Sequence, residues 1–139
     1  MHGKLILFTA LVAMQAAHSL EEYFTGFYVL LSDIISSIHE NIGFFPVIRI
    51  SGLTFIIINL ALITFQILLV PFFGKQRWAT ITAIIVAFIE IFNGLTHICA
   101  TILLGGYFSG SFTATGLVII GILFLALNPA LQKNSSKKD

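Results

Sequence analysis

Residues 51–73, SGLTFIIINLALITFQILLVPFF, form an almost unbroken run of Ile, Leu, Phe and Thr, closed by Pro71 and followed by the basic residues Lys75 and Arg77. A charge-free stretch of this length meets the requirement for a bilayer-crossing helix, about 20 apolar residues. The reading of this run as a span over about 50–73 sets the reading of its neighbours. Downstream, Trp78, a residue type enriched at membrane interfaces, opens a second apolar run over 78–104, which stops at Gly105-Gly106-Tyr107. After Ser109-Gly110-Ser111 a further span is expected over 111–128, broken by Asn128-Pro129 and followed by the polar tail 132–139. Upstream, an apolar run begins after Lys4 and reaches His18, Glu21 and Glu22, giving a first span over about 4–22.

Composition agrees. Of 139 residues 58% are hydrophobic and only 9% charged, against about a quarter charged in soluble domains; the mean hydropathy is +1.02. Seven basic and six acidic residues give a net charge of +1, too few and too balanced for a nucleic-acid surface. Cys99, the one cysteine, cannot form an internal disulfide, and no C-x-x-C spacing is present. The expected fold is therefore all-α: an integral membrane four-helix bundle forming a single membrane domain over 1–139, with no nucleic-acid partner and the lipid bilayer as its surroundings.

Orientation follows from Lys and Arg in the short connections. Lys4, the Lys75/Arg77 pair and the tail residues Lys133, Lys137 and Lys138 fall on one side of a four-span arrangement. The segment between spans one and two carries Glu21, Glu22, Asp33, Glu40 and Arg49. Both termini are expected in the cytoplasm, with the basic tail attracted to anionic lipid. Lys4, a short apolar core and Ala17-His18-Ser19 also resemble the layout of a signal peptide, but no polar region precedes the cut and apolar sequence continues after it, so the segment reads as a retained span. Within the segment 23–45, Phe24, Phe27, Tyr28, Leu31, Ile34, Ile35 and Ile38 recur at helical spacing opposite Ser32, Asp33, Ser36 and Ser37. An amphipathic helix on the outer interface is expected there, with a lid over a site in the bundle as the alternative.

Ionisable groups inside a span are costly and by default face the bundle interior with partners. Two clusters stand out: His18, Glu21 and Glu22 in span one; Glu90, Asn93 and His97 in span three. At about 100° per residue, Glu21 lies roughly 60° to one side of His18 and Glu22 roughly 40° to the other, so all three share a face. Asn93 and His97 likewise share a stripe with Glu90, and Thr101 continues it. A rise of about 1.5 Å per residue puts His18 and His97 at comparable depth near the outer boundary, with Glu90 about two turns deeper. Asn59 and Gln66, seven apart on span two, face one way and suit interhelical hydrogen bonding.

Two imidazoles with two or three carboxylates in an apolar bundle form a nitrogen and oxygen ligand set for a divalent metal such as zinc, iron or manganese. The spacing is neither H-E-x-x-H nor the paired E-x-x-H helices of di-iron bundles. A hydrogen-bonded cluster that locks span one to span three is the structural alternative.

At His18-Ser-Leu-Glu21-Glu22 the chain resembles the HXXEE-domain family of small bacterial integral membrane proteins, named for that pattern. Asn93-Gly-Leu-Thr-His97 is similar to the family's N-x-x-x-H motif, and Tyr107-Phe-Ser-Gly110 to its Y-x-P-G, with Ser109 in place of proline. The resemblance implies a four- or five-span bacterial membrane protein regarded as an enzyme without an assigned reaction, in which His18, Glu21, Glu22, Asn93 and His97 act together.

The leading expectation is a metal-dependent membrane hydrolase acting on a lipid-like substrate at the outer interface of a bacterial inner membrane. His18, His97 and one of Glu21 or Glu22, Glu22 for preference, would hold the metal, and its bound water would be the nucleophile. The other glutamate would be the general base, and Asn93 would orient a ligand or donate to a developing oxyanion. Glu90, Thr101 and Tyr107 fall to a supporting or proton-relay role. The competing expectations are an accessory subunit with a buried polar lock and a small homo-oligomeric proton or cation carrier.

Overall fold

A computed structural model describes residues 2–44 and 46–127. Among the described residues there are five α-helices and no strand: α1 (His2–Phe24), α2 (Phe27–Ile42), α3 (Gly52–Leu69), α4 (Arg77–Leu104) and α5 (Ser111–Ala126). The helices end where backbone chemistry ends them. Ser51 caps α3 by accepting from the Thr54 amide at 3.1 Å. Pro71 falls in a 3-10 turn over Val70–Phe72 that closes α3. Gly105, at φ 65°, terminates α4 in the left-handed region that glycine enters without a Cβ penalty.

Three helices, α1, α4 and α3 with its closing turn, are long and apolar enough to cross a membrane. Helix α5 is also apolar but has 16 residues, about 24 Å at helical rise. The outward faces carry large apolar side chains throughout, among them Leu53, Ile57, Leu60 and Leu68 on α3 and Ile85, Phe88, Ile89 and Phe92 on α4. Such a surface has no favourable contact with water and matches lipid.

The most extensive packing joins α4 to α5, followed by α1 against α5 and α1 against α3; α3 meets α4 at few points. Small residues let α4 and α5 approach. A Cβ on Gly94 would lie 2.8 Å from the Ala114 carbonyl oxygen, and one on Gly121 would lie 2.6 Å from Ile91 Cγ1. Membrane helices associate through such close contacts because lipid gives no hydrophobic drive between them. At one end of the molecule Phe8, Phe73 and Phe124 form an aromatic cluster with ring centroids 5.4–5.7 Å apart. At the other end the polar residues collect.

The segment expected as one amphipathic unit over 23–45 is divided. Helix α1 continues to Phe24, and Gly26, at φ 77°, turns the chain into α2. Helix α2 has no fully buried residue, yet it is fastened to the bundle: Ser32 Oγ accepts from the Ile50 amide at 2.9 Å, the Phe27 ring lies 5.1 Å from that of His97, and Phe27 and Tyr28 both pack on Phe55 of α3. The basic tail 132–139 and the end of the span expected over 111–128 lie outside the described residues.

Gly94→Val should lower stability by about 1–3 kcal/mol, the range for overpacking a tight core. Denaturant unfolding in mild detergent checks this; an unchanged midpoint would mean that α4 and α5 are not so closely apposed.

Candidate metal centre

Three side chains from two helices meet in the polar end of the molecule. His18 and Glu22 stand one turn apart on α1, and His97 reaches them from α4. His18 Nε2 is 3.5 Å from Glu22 Oε1, and His97 Nε2 is 3.2 Å from the same oxygen. The two rings lie edge to face with centroids 4.8 Å apart. All three residues are buried, His18 completely. The two histidines thus stand at one level of the bundle, as helical rise alone suggested.

The outward nitrogens define the inward ones. His97 Nδ1 contacts the Ser109 backbone carbonyl; a carbonyl only accepts, so Nδ1 carries the proton and donates it. His18 Nδ1 lies 2.9 Å from Thr113 Oγ1, and that hydroxyl gives its own hydrogen to Glu21 Oε2 at 2.6 Å. Thr113 therefore accepts from His18 Nδ1–H. With both Nδ1 positions protonated, each neutral imidazole presents an Nε2 lone pair to the Glu22 carboxylate. His18 Nε2 has no hydrogen-bond partner despite being buried. Three acceptors facing one another in an apolar interior repel unless a cation sits between them.

The donor atoms of His18, Glu22 and His97 all lie within 4.8 Å of one another, and the group could hold a metal ion. Two of the three separations, 3.2 and 3.5 Å, lie near the roughly 3.3–3.4 Å edge of a tetrahedron with ligand bonds of about 2.0–2.1 Å, while the group as a whole spans up to 4.8 Å. The hydrogen bonds behind the rings are of the kind that orient metal-bound histidines: one to a backbone carbonyl, the other through a hydroxyl to a carboxylate.

Glu21 does not join this group. Its Oε2 also accepts from the Thr113 amide at 2.9 Å, while Oε1 accepts from the Phe112 amide at 3.2 Å and from the Tyr107 hydroxyl. It caps the first turn of α5, where amides lack intrahelical partners and the helix dipole favours an anion. Glu21 and Glu22 point about 100° apart on α1, and the packing of α5 against α1 gives each its own neighbour. Tyr107 is mostly exposed; partial desolvation and the Glu21 carboxylate push its phenol above its ordinary value, so it remains a donor to Glu21.

Glu90 is buried below the histidines and accepts from Gln66 Nε2 at 2.9 Å. Asn59 accepts from Ser19 Oγ at 2.7 Å. Both span-two amides thus make the interhelical bonds their spacing suggested. Asn93 is half-buried on the wall of a cavity it shares with Glu22 and Glu90. Thr101 donates to the His97 carbonyl within α4 and lines an outer groove with Tyr107, so it stays outside the cluster.

A family model described as a protein of unknown function with HXXEE motif matches residues 9–125. The chain belongs to this HXXEE family. No curated protein and no solved structure matches it. Within the family's name-giving pattern the labour is divided: His18 and Glu22 face His97, whereas Glu21 secures α5 and, through Thr113, the ring of His18.

Two contributors escape sequence reasoning. Thr113 has no motif around it; only the approach of α5 to α1 makes it a partner of both His18 and Glu21. Gly110 belongs to the Tyr107-Phe-Ser-Gly110 turn, whose role the sequence left open. It adopts φ 77°, and a Cβ there would lie 2.7 Å from His18 Cε1, 3.0 Å from His97 Nδ1 and 3.1 Å from Glu22 Cγ. The turn thus roofs the cluster with bare backbone, and the adjacent Ser109 supplies the carbonyl for His97.

Gly105 provides a control, since it has φ +65° but nothing within 4 Å of its would-be Cβ. Gly105→Ala should show only the cost of an L-residue in that backbone region, about 1 kcal/mol. Gly110→Ala should cost about 1–3 kcal/mol more, from steric conflict with the imidazoles. Equal losses in parallel unfolding curves would show that the turn does not press on the cluster.

Proposed function

We propose that the protein is a metal-dependent membrane enzyme, hydrolytic in type, that acts on a lipid-like substrate at the outer interface. In this reading α1, α3, α4 and α5 all cross the bilayer as a four-helix bundle, with both termini in the cytoplasm of a bacterium and the metal centre near the outer face of its inner membrane. The basic residues at the inner connections support that orientation, and a short α5 is accommodated by modest local thinning of the bilayer.

The observation that carries the proposal is the inward turn of both Nε2 atoms onto Glu22 Oε1, with both Nδ1 atoms engaged behind them. His18, Glu22 and His97 would hold zinc, iron or manganese, all compatible with imidazole and carboxylate donors. Bound there, such a metal would supply Lewis-acid polarisation and activation of water at neutral pH. The chain's own residues do the remaining work. Glu22 is the carboxylate at the centre and either ligates or handles a proton. Asn93, one turn from His97 on the cavity wall, is placed to orient a polar group of the substrate. Glu21 serves as a positioning residue through Thr113, and Tyr107 holds Glu21 from the surface side. Glu90, held by the Gln66 amide, is a neighbouring carboxyl group available for proton exchange.

A second reading is favoured by one distance. At 3.2 Å, His97 Nε2 and Glu22 are within hydrogen-bond reach, so a protonated His97 would pair with Glu22 and lock α4 to α1 without metal.

Elemental analysis of protein purified in mild detergent, without chelator or histidine tag, separates the two. Near-stoichiometric zinc, iron or manganese is expected in the wild type, with loss in folded His18→Ala, His97→Ala and Glu22→Gln. Folded wild-type protein without metal would overturn the enzyme reading and select the lock. Thr113→Val should weaken metal affinity by about 10–100-fold, the usual effect of removing a partner behind a ligating histidine, as read by chelator competition.

A further inference from the structure

The cluster of His18, Glu22 and His97 is too enclosed to receive a substrate as it stands. His18 is fully buried, His97 is 3% exposed and Glu22 5%. A cavity of about 410 Å³ between α1, α3 and α4 reaches Glu22, Glu90 and Asn93, but neither imidazole lines it. Contact with all three residues therefore needs an element that moves.

Most elements around the cluster are tied down. The turn 107–110 is held by His97 on the Ser109 carbonyl and by Tyr107 on Glu21, and the start of α5 by Glu21 on the Phe112 and Thr113 amides. Helix α4 lies close against α5 at Gly94 and Gly121. Side-chain hydrogen bonds join α3 to α1 through Asn59 and Ser19, and α3 to α4 through Gln66 and Glu90. Helix α2 differs, because it packs the most thinly of the five helices and has no fully buried residue. Rings and one hydroxyl hold it: Phe27 on Phe55 and Phe108, Tyr28 on Tyr23 and Phe55, and Ser32 on the Ile50 backbone. Elements with few buried apolar contacts are the ones that open at the lowest free energy.

The inner face of α2 touches the cluster and the cavity at once. The Phe27 ring lies 5.1 Å from that of His97, and Leu31 lines the cavity beside Glu22. Four residues apart, the two side chains share a face and move together. Both ends of α2 are glycines in left-handed backbone, Gly26 at φ 77° and Gly43 at φ 70°, and a Cβ on either would meet nothing within 4 Å. Hinges are such element-terminal positions, which absorb the change in φ and ψ, and here no packed neighbour obstructs them.

We infer that α2 is a hinged lid over the metal centre, swinging on Gly26 and Gly43 so that Phe27 leaves the His97 ring as Leu31 leaves the cavity. One movement then uncovers a ligand and the space beside Glu22 together. When the lid is closed, the same two side chains keep bulk water from the cluster. The inference deepens the enzyme reading, on which it rests for what the opening admits: a lipid-like substrate arriving from the interface on which α2 lies.

The test uses the full chain in lipid nanodiscs, with Cys99→Ser removing the native thiol. Spin labels at Ser37→Cys, on the exposed side of α2, and at Ile102→Cys, exposed near the end of α4, report the distance between lid and bundle by pulsed electron paramagnetic resonance. Two distance populations are expected, and Phe27→Ala should enlarge the minor, open one by about fivefold, the weight of one ring contact. In unlabelled protein loaded with zinc, a disulfide between Ser32→Cys and Ile50→Cys should hold the ion against an excess of chelator that strips it once reductant is added. A single narrow distance unchanged by Phe27→Ala would overturn the inference, and so would equal zinc loss from the bridged and reduced forms. The distance measurement needs no metal and stays decisive if the disulfide does not form. Two populations in protein that takes up no zinc would keep the lid and sink the enzyme reading, whereas zinc held beneath one fixed distance would do the reverse.

Discussion

Three hydrogen-bond acceptors turned toward one another inside an apolar bundle are unstable alone, and the organisation of the polar end answers that instability. The orientation of His18 and His97 follows from where their Nδ1 protons go: to Thr113 on α5 and to the Ser109 carbonyl in the turn before it. With those bonds made, the opposite nitrogens can only face Glu22. A cation at their meeting point, metal or proton, completes the arrangement, because desolvated lone pairs have no water to turn to.

The bundle geometry serves this requirement. Close contact between α4 and α5, permitted by Gly94 and Gly121, carries the turn 107–110 over the two imidazoles. The absence of a Cβ at Gly110 lets the backbone come near enough for Ser109 to accept from His97. Glu21 ties the first turn of α5 to α1, satisfying amides that have no partner within the helix. Packing between helices and support for the cluster are therefore the same set of contacts. The looser seam lies elsewhere, between α3 and α4, beside the cavity lined by Glu22, Glu90 and Asn93.

The helical class, the three long apolar helices and the two polar stripes are all legible in the order of residues. Each depends on short-range quantities: hydropathy over about 20 residues and a period of 3.6. The same order brings His18 and His97 to one level, because rise per residue is nearly constant along a helix. The spacing of Asn59 and Gln66 indicates interhelical bonds, and their partners are Ser19 and Glu90. Separating Glu21 from Glu22 takes the packed bundle. On a helical wheel both flank His18, and the wheel cannot say that α5 lies on one side and α4 on the other. The same limit hides Thr113, whose importance comes from a contact 95 residues away in the chain, and Gly110, whose missing side chain matters only because two imidazoles occupy that space. Local periodicity fixes which way a side chain leaves its own helix; what it meets there is decided by the packing of the others.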